Sequence, residues 1–148
     1  MNTTVTIDIV KLHEDAIIPA YQTAGAAGAD IHARLDEPVT LQPLERRMIP
    51  TGLAMAIPEG YEVQIRARSG MSIKHGITMV NGIGTIDADY RGEVAALVIN
   101  LSQEAFTIEP GMRIAQMVVA KYEYTGWNEV AELDETARGT GGFGSSGK

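Results

Sequence analysis

Three observations predict an all-β fold, a sandwich or jelly roll. The apolar residues recur with a period of two in short runs, Pro and Gly punctuate the gaps between runs, and no long segment carries a strong helical pattern. Taken in order, "TVTIDIV" sets Val5, Ile7 and Ile9 against Thr4, Thr6 and Asp8, which reads as a half-buried strand. "YEVQIRAR" places Val63, Ile65 and Ala67 on one face and Glu62, Gln64, Arg66 and Arg68 on the other. "VAALVINL", residues 94–101, is almost continuously apolar and reads as a strand buried on both faces. "RIAQMVVAKYEY", residues 113–124, is another β-leaning run. Turn signals fall between these runs at Pro38, Pro43, Pro50, Pro58-Glu59-Gly60 and Pro110-Gly111. A short helical turn over Ser69 to His75, capped by Ser69, is the one helix expected. "NEVAELDETA", residues 128–137, leans to strand and loop.

Composition narrows the function. A chain of 148 residues with 45% apolar residues fits one domain with a sizeable core. A net charge of −7 argues against general nucleic-acid binding, which needs a basic face. An acidic protein that binds a polyanion must do so locally, through a few placed arginines and a metal ion. The chain has no cysteine, so thiolate zinc sites and cysteine nucleophiles are excluded, and a reducing cytoplasm suits it. No apolar run approaches the ~20 residues of a membrane span, and "MNTTVTIDIVKLHED" has neither a basic start nor an apolar signal core.

Several segments hold groups that suit phosphate and base chemistry. The last residues, Gly142 to Lys148, spell a glycine, four residues, then Gly-Lys. A phosphate loop also needs a following Ser or Thr and a helix after it, and nothing here supplies either. His13, His32 and His75 show no metal-ligand spacing and read as solvated side chains. "MVNGIGTIDADYRGEV", residues 79–94, carries the hairpin signal Asn81-Gly82 and then Asp87 and Asp89, two apart and hence on one face of a strand. "RARSG", residues 66–70, ends a strand with a guanidinium, a hydroxyl and free backbone N–H groups, donors that suit a phosphate.

In chain order the segments read "AGAD" (27–30), "RSGM" (68–71), "NGIGTIDADYRG" (81–92), "PGMRIAQM" (110–117) and "RGTGGFGSSG" (138–147). This set resembles the five motifs of the trimeric dUTP pyrophosphatases, the dUTPases, in order and over nearly the whole chain. Ala29 and Thr140 depart from the family's usual residues without removing a functional group. A dCTP deaminase of the same fold would need a glutamate catalyst and a different arginine-serine motif.

The resemblance implies a distorted jelly roll, a β-sandwich-like barrel, over residues 1–137 and a flexible Gly-rich lid over 138–148. It implies a homotrimer with three sites, each built from all three chains, to which residues 94–101 and Val118–Val119 would contribute a threefold core. The reaction would be Mg²⁺-dependent cleavage of dUTP to dUMP and pyrophosphate. Asp87 would be the general base. Arg68, Ser69, Gly70 and Gln116 would hold the phosphates, and Asp30 would touch the water shell of Mg²⁺. Asn81 and the backbone of Ile83, Gly84, Thr85 and Ile86 would read uracil, and Tyr90 would pack under the deoxyribose. Arg138, Phe143, Ser145 and Ser146 would close over the nucleotide. No nucleic acid or membrane partner is expected, and Lys148 should be dispensable.

Overall fold

The structure, a computed structural model, describes residues 5–147; Thr4 of the first expected strand and Lys148 lie outside them. Eleven strands and one helix follow along the described residues. They are β1 (Asp8–Lys11), β2 (Ala29–His32), β3 (Val39–Leu41), β4 (Arg46–Pro50), β5 (Leu53–Ala56), β6 (Tyr61–Arg66), α1 (Ser69–His75), β7 (Ile77–Met79), β8 (Gly84–Ile86), β9 (Ala95–Asn100), β10 (Phe106–Ile108) and β11 (Arg113–Lys121). The all-β expectation holds.

Every strand pair is antiparallel. One sheet has the order β2-β11-β6-β8, a second has β4-β9-β7, and β1-β5 and β10-β3 form two-stranded ribbons. The strands wrap one apolar core in which Ile31, Leu41, Ile49, Val63, Val98, Ile108 and Ile114 are buried. Burying such side chains stabilises the fold by roughly 1.5–3 kcal/mol each. The core also holds Thr51 and Asn100, both satisfied. The Thr51 hydroxyl donates to the Val94 carbonyl at 2.6 Å. The Asn100 amide donates to the Leu41 and Glu104 carbonyls at 3.0 and 2.8 Å.

The structure corrects four expectations. First, β9 is not buried on both faces: Ala96, Val98 and Asn100 point into the core, whereas Leu97 on the other face is 37% exposed. Leu97 registers with Met48 of β4, itself exposed. This sheet face is apolar but uncovered in one chain, which a run of apolar letters cannot reveal. Second, Asn81-Gly82 does form a tight turn, with Gly82 at φ 74° and its N–H donating to the Met79 carbonyl at 3.0 Å. The turn does not close a hairpin, because β7 pairs with β9 and β8 with β6. Third, Ser69 is the first residue of α1 and not its cap; extended Arg68 (ψ 132°) holds the N-cap position without a capping side-chain bond. Gly76 ends the helix in the left-handed conformation (φ 67°), donating back to Met71 and Ser72. Fourth, residues 122–137 form neither strand nor helix, and all are exposed.

Candidate active site

The candidate residues fall into three groups. The first lies around β8. Gly84 sits beside Ile65 on β6, where an added Cβ would come within 3.2 Å of the Ile65 Cβ. The strand therefore approaches its neighbour closely at that point. Asn81, Gly84, Thr85, Ile86, Asp87 and Tyr90 line a cleft of about 240 Å³, floored by Met48, Met79 and Leu97. Ile83 stands at its turn, 53% exposed. The cleft has an apolar floor and a rim of backbone donors and acceptors, a combination that suits a flat heterocycle.

Asp87 follows β8 and is exposed, as is Asp89. The two do not share a strand face, because residues 88–89 form a turn closed by the Tyr90 N–H donating to the Asp87 carbonyl at 3.2 Å. Asp87 alone lines the cleft; both aspartates line the neighbouring groove with Glu59 and Glu62. Tyr90 donates its phenol to the Glu93 carbonyl at 2.9 Å.

The second group gathers where β2, β6 and β11 meet. Asp30 is 6% exposed and accepts from two arginines, Arg68 Nε at 3.1 Å and Arg113 Nη1 at 3.2 Å. Arg68 also donates to the Arg113 carbonyl at 3.4 Å. A buried carboxylate needs such partners, and in return it fixes the guanidinium planes. Gln116, in register with Asp30 and with Arg66, donates to the Ala67 carbonyl at 3.0 Å, and among the described residues its second N–H has no partner. Gly28 lies against that side chain, and a Cβ there would overlap Gln116 Oε1. Ala29 is buried in β2, in register with Met117 of β11. Burial, with Arg113 and Arg68 nearby, pushes the His32 imidazole below its ordinary value, and Asp30 opposes the shift. Ser69 and Gly70 are exposed at the start of α1.

The third group lies on the C-terminal arm, residues 122–147. Arg138, Ser145 and Ser146 are exposed, and Phe143 projects its whole ring into solvent at φ 51°. Arg138 donates from Nε to the Gly141 carbonyl at 2.7 Å. None of these residues lines the cleft.

Arg113 and Gly92 were not singled out from the sequence. A signal for Arg113 exists in hindsight: Ile114 and Ala115 are both buried, which breaks the alternation, and a bulge between Arg113 and Ala115 shifts the register. The extra residue brings Arg113 onto the same face as Gln116.

An antiparallel β barrel with a polar-rimmed cleft and an arginine-anchored cluster defines a class of protein that handles a phosphorylated base. The family profile described as dUTPase matches residues 14–147. A deoxyuridine 5'-triphosphate nucleotidohydrolase of Fusobacterium nucleatum is 53% identical over 143 residues, covering 96% of this chain and 98% of that protein. Another, from Cytophaga hutchinsonii, is 54% identical, covering 99% of this chain and 95% of that one. The fold is similar to a variant dUTPase of Staphylococcus bacteriophage 80alpha with dUpNHpp, at TM-score 0.88 and 29% identity, covering 98% of this chain and 100% of that one. The chain belongs to the dUTPase family. A further similar structure, a dUTPase variant from phage phi11 of S. aureus (TM-score 0.79, 26% identity, covering 88% of this chain and 100% of that one), shows the coordination of a structural Mg(II) ion.

Proposed function

We propose that the protein hydrolyses dUTP to dUMP and pyrophosphate in the cytoplasm, which limits uracil incorporation into DNA and supplies dUMP for thymidylate synthesis. The observation that carries this reading is the β8 cleft, where backbone groups of Gly84 to Ile86 and the side chains of Asp87 and Tyr90 converge. The backbone N–H and C=O groups match the uracil imide. Cytosine reverses part of that pattern and leaves buried groups unpaired. Asn81 adds a contact, and Tyr90 packs under the sugar. Asp87 takes the proton of a water whose oxygen bonds to the α-phosphorus. The bond from that phosphorus to the bridging oxygen breaks in line, and pyrophosphate leaves. A free carboxylate is a weak base, so positioning and charge neutralisation supply much of the rate. Arg68, the Ser69 hydroxyl and the Gly70 N–H hold the phosphates, and Gln116 donates its second N–H to an α-phosphate oxygen.

Among the described residues no three His, Cys, Asp or Glu side chains form a metal cage. This suits Mg²⁺, a hard cation that keeps its waters and binds chiefly through substrate phosphates. Bound there, it would neutralise phosphate charge. Asp30 spends one lone pair of each oxygen on an arginine and retains others for a metal-bound water.

The active unit is a homotrimer with shared sites, and strand register supports this. Val63 pairs with Ile86 and Ile65 with Gly84. Beyond Ile86, Asp87 shares a groove with Glu59 and Glu62 near the start of β6, whereas Arg68 follows the end of that strand. One chain therefore holds the proposed base, Asp87, and the phosphate-holding Arg68 toward opposite ends of β6, and a second copy can bring complementary groups together. The uncovered face of β4 and β9 and the exposed arm supply surfaces for that assembly. Phe143 from an arm would stack on uracil while Arg138, Ser145 and Ser146 meet the phosphates.

Phosphate release with a coupled pyrophosphatase tests the reaction across dUTP, dTTP, dCTP and UTP. Hydrolysis of dUTP with Mg²⁺ far above the others is expected; comparable turnover of UTP, or ammonia released from dCTP, overturns the reading.

A further inference from the structure

We propose that Gly92 is a specificity-determining residue: its missing side chain makes the space in which the Tyr90 ring lies, and so sets discrimination against ribonucleotides. The inference rests on the reading that Tyr90 packs under the sugar. A Cβ built at Gly92 would overlap the Tyr90 phenol oxygen and lie 2.6 Å from Cζ and 2.9 Å from Cε2. Its three nearest neighbours all belong to that one ring. Gly92 is not among the glycines in the left-handed region. Alanine can therefore adopt its backbone, and conformational freedom is not the reason for glycine here.

The rest of the loop leaves the ring as the part that must yield. The Tyr90 N–H is tied to the Asp87 carbonyl at 3.2 Å. Its carbonyl accepts from Arg91 Nη1 at 3.0 Å, and the same nitrogen donates to the Ala88 carbonyl at 2.6 Å. Glu93, next in the chain, is anchored through its side chain, which accepts from the Gly52 N–H at 2.8 Å. Tyr90 is 45% exposed, so a methyl at position 92 can swing the ring into solvent without opening the core. That swing breaks the 2.9 Å bond to the Glu93 carbonyl and vacates the floor against which a 2′-hydroxyl would collide. The tight turn and the close return of the chain onto its own tyrosine thus form one device.

The test is a double-mutant cycle on the full chain, with Tyr90→Ala, Gly92→Ala and the pair, read as kcat/KM for UTP relative to dUTP. Both single variants should raise that ratio by roughly tenfold or more, the scale of one misfitted group in a pocket. The double variant should match Tyr90→Ala, because alanine at 92 has no ring left to displace. If Tyr90→Ala raises the ratio and a folded Gly92→Ala leaves it unchanged, this inference fails alone. If Tyr90→Ala leaves it unchanged, the sugar-packing reading of Tyr90 fails, and the inference with it. Should Gly92→Ala not fold, the double variant decides: recovery of a cooperative melt supports the inference, and continued misfolding overturns it.

Discussion

Ile31, Leu53 and Ile114 are buried, whereas Leu133, Trp127 and Phe143, of the same apolar class, are among the most exposed residues in the protein. The first set lies in the body, residues 5–121, where every strand finds a partner. The second lies in the arm, residues 122–147, whose backbone bonds beyond Tyr122 are local turns such as Gly139 to Thr136 and Ser145 to Gly142. Large apolar side chains gain when a surface covers them, and Leu133, Trp127 and Phe143 are left almost uncovered by the described residues. Its acidic stretch, with Glu123, Glu129, Glu132, Asp134 and Glu135 and no cation before Arg138, would repel a triphosphate. Arg138 is the first cation the arm could offer a phosphate. The body is held by its own burial, and the arm is largely exposed, with local turns as its backbone bonds beyond Tyr122.

If the body carries the chemistry and the arm times it, the two should fail differently. The largest effect is expected from Asp87→Asn, which keeps shape and removes the base. Turnover should fall roughly 10²–10⁴-fold while calorimetry shows near-normal dUTP binding, and near-normal kcat would remove Asp87 from that role. A chain stopped after Ala137 should lose roughly 10² in kcat through poorer positioning, with a smaller change in dUTP affinity and an unchanged thermal midpoint. Residues 138–148 contain five glycines, and fixing each residue's backbone costs roughly 1–2 kcal/mol. That nearly cancels the gain from stacking and phosphate contacts, so the lid should act on rate more than on affinity. Deleting Lys148 alone should change nothing measurable in kcat. A truncation that also lowers the midpoint would make the arm part of the body.

A smaller loss, roughly tenfold in kcat/KM, is expected from Arg113→Ala, which leaves Asp30 with Arg68 as its one guanidinium partner. The smallest effect is expected from Asp15→Asn. Asp15 is exposed, and its pKa lies below the ordinary 3.8 chiefly through the hydrogen bond from Arg34. A lowered carboxylate pKa adds stability above the unfolded value, lost as pH falls through the folded one. Asp15→Asn should therefore lower neutral-pH melts very slightly, and the difference from the parent should vanish as pH falls below about 4. Light scattering bears on the comparison as a whole: an active monomer of 15.9 kDa would mean that the arm serves its own chain.

Alternation made β6 legible in advance, because Val63 and Ile65 face the core while Gln64 and Arg66 do not. The same rule failed at β9, whose outer face carries the exposed but apolar Leu97 and so hides its period. The turn at Asn81-Gly82 was legible as a turn but not as a crossing between sheets, since register partners are non-local. Family resemblance named the candidate residues by type and order. It did not mark Gly92 or the bulge at Arg113, because each depends on the side chain that folds against it.

The exposed arm has one more consequence, for the protein's lifetime. Lys121 and Arg138 bracket a stretch without another basic residue, and neither is protected by burial. Where opening costs little, cleavage follows the population of the accessible state. A trypsin-like protease should thus clip the idle protein at the arm while leaving the stranded body intact, and bound nucleotide that orders the arm should shield Arg138. Persistence would then follow supply of substrate, with an unoccupied molecule the first to be degraded.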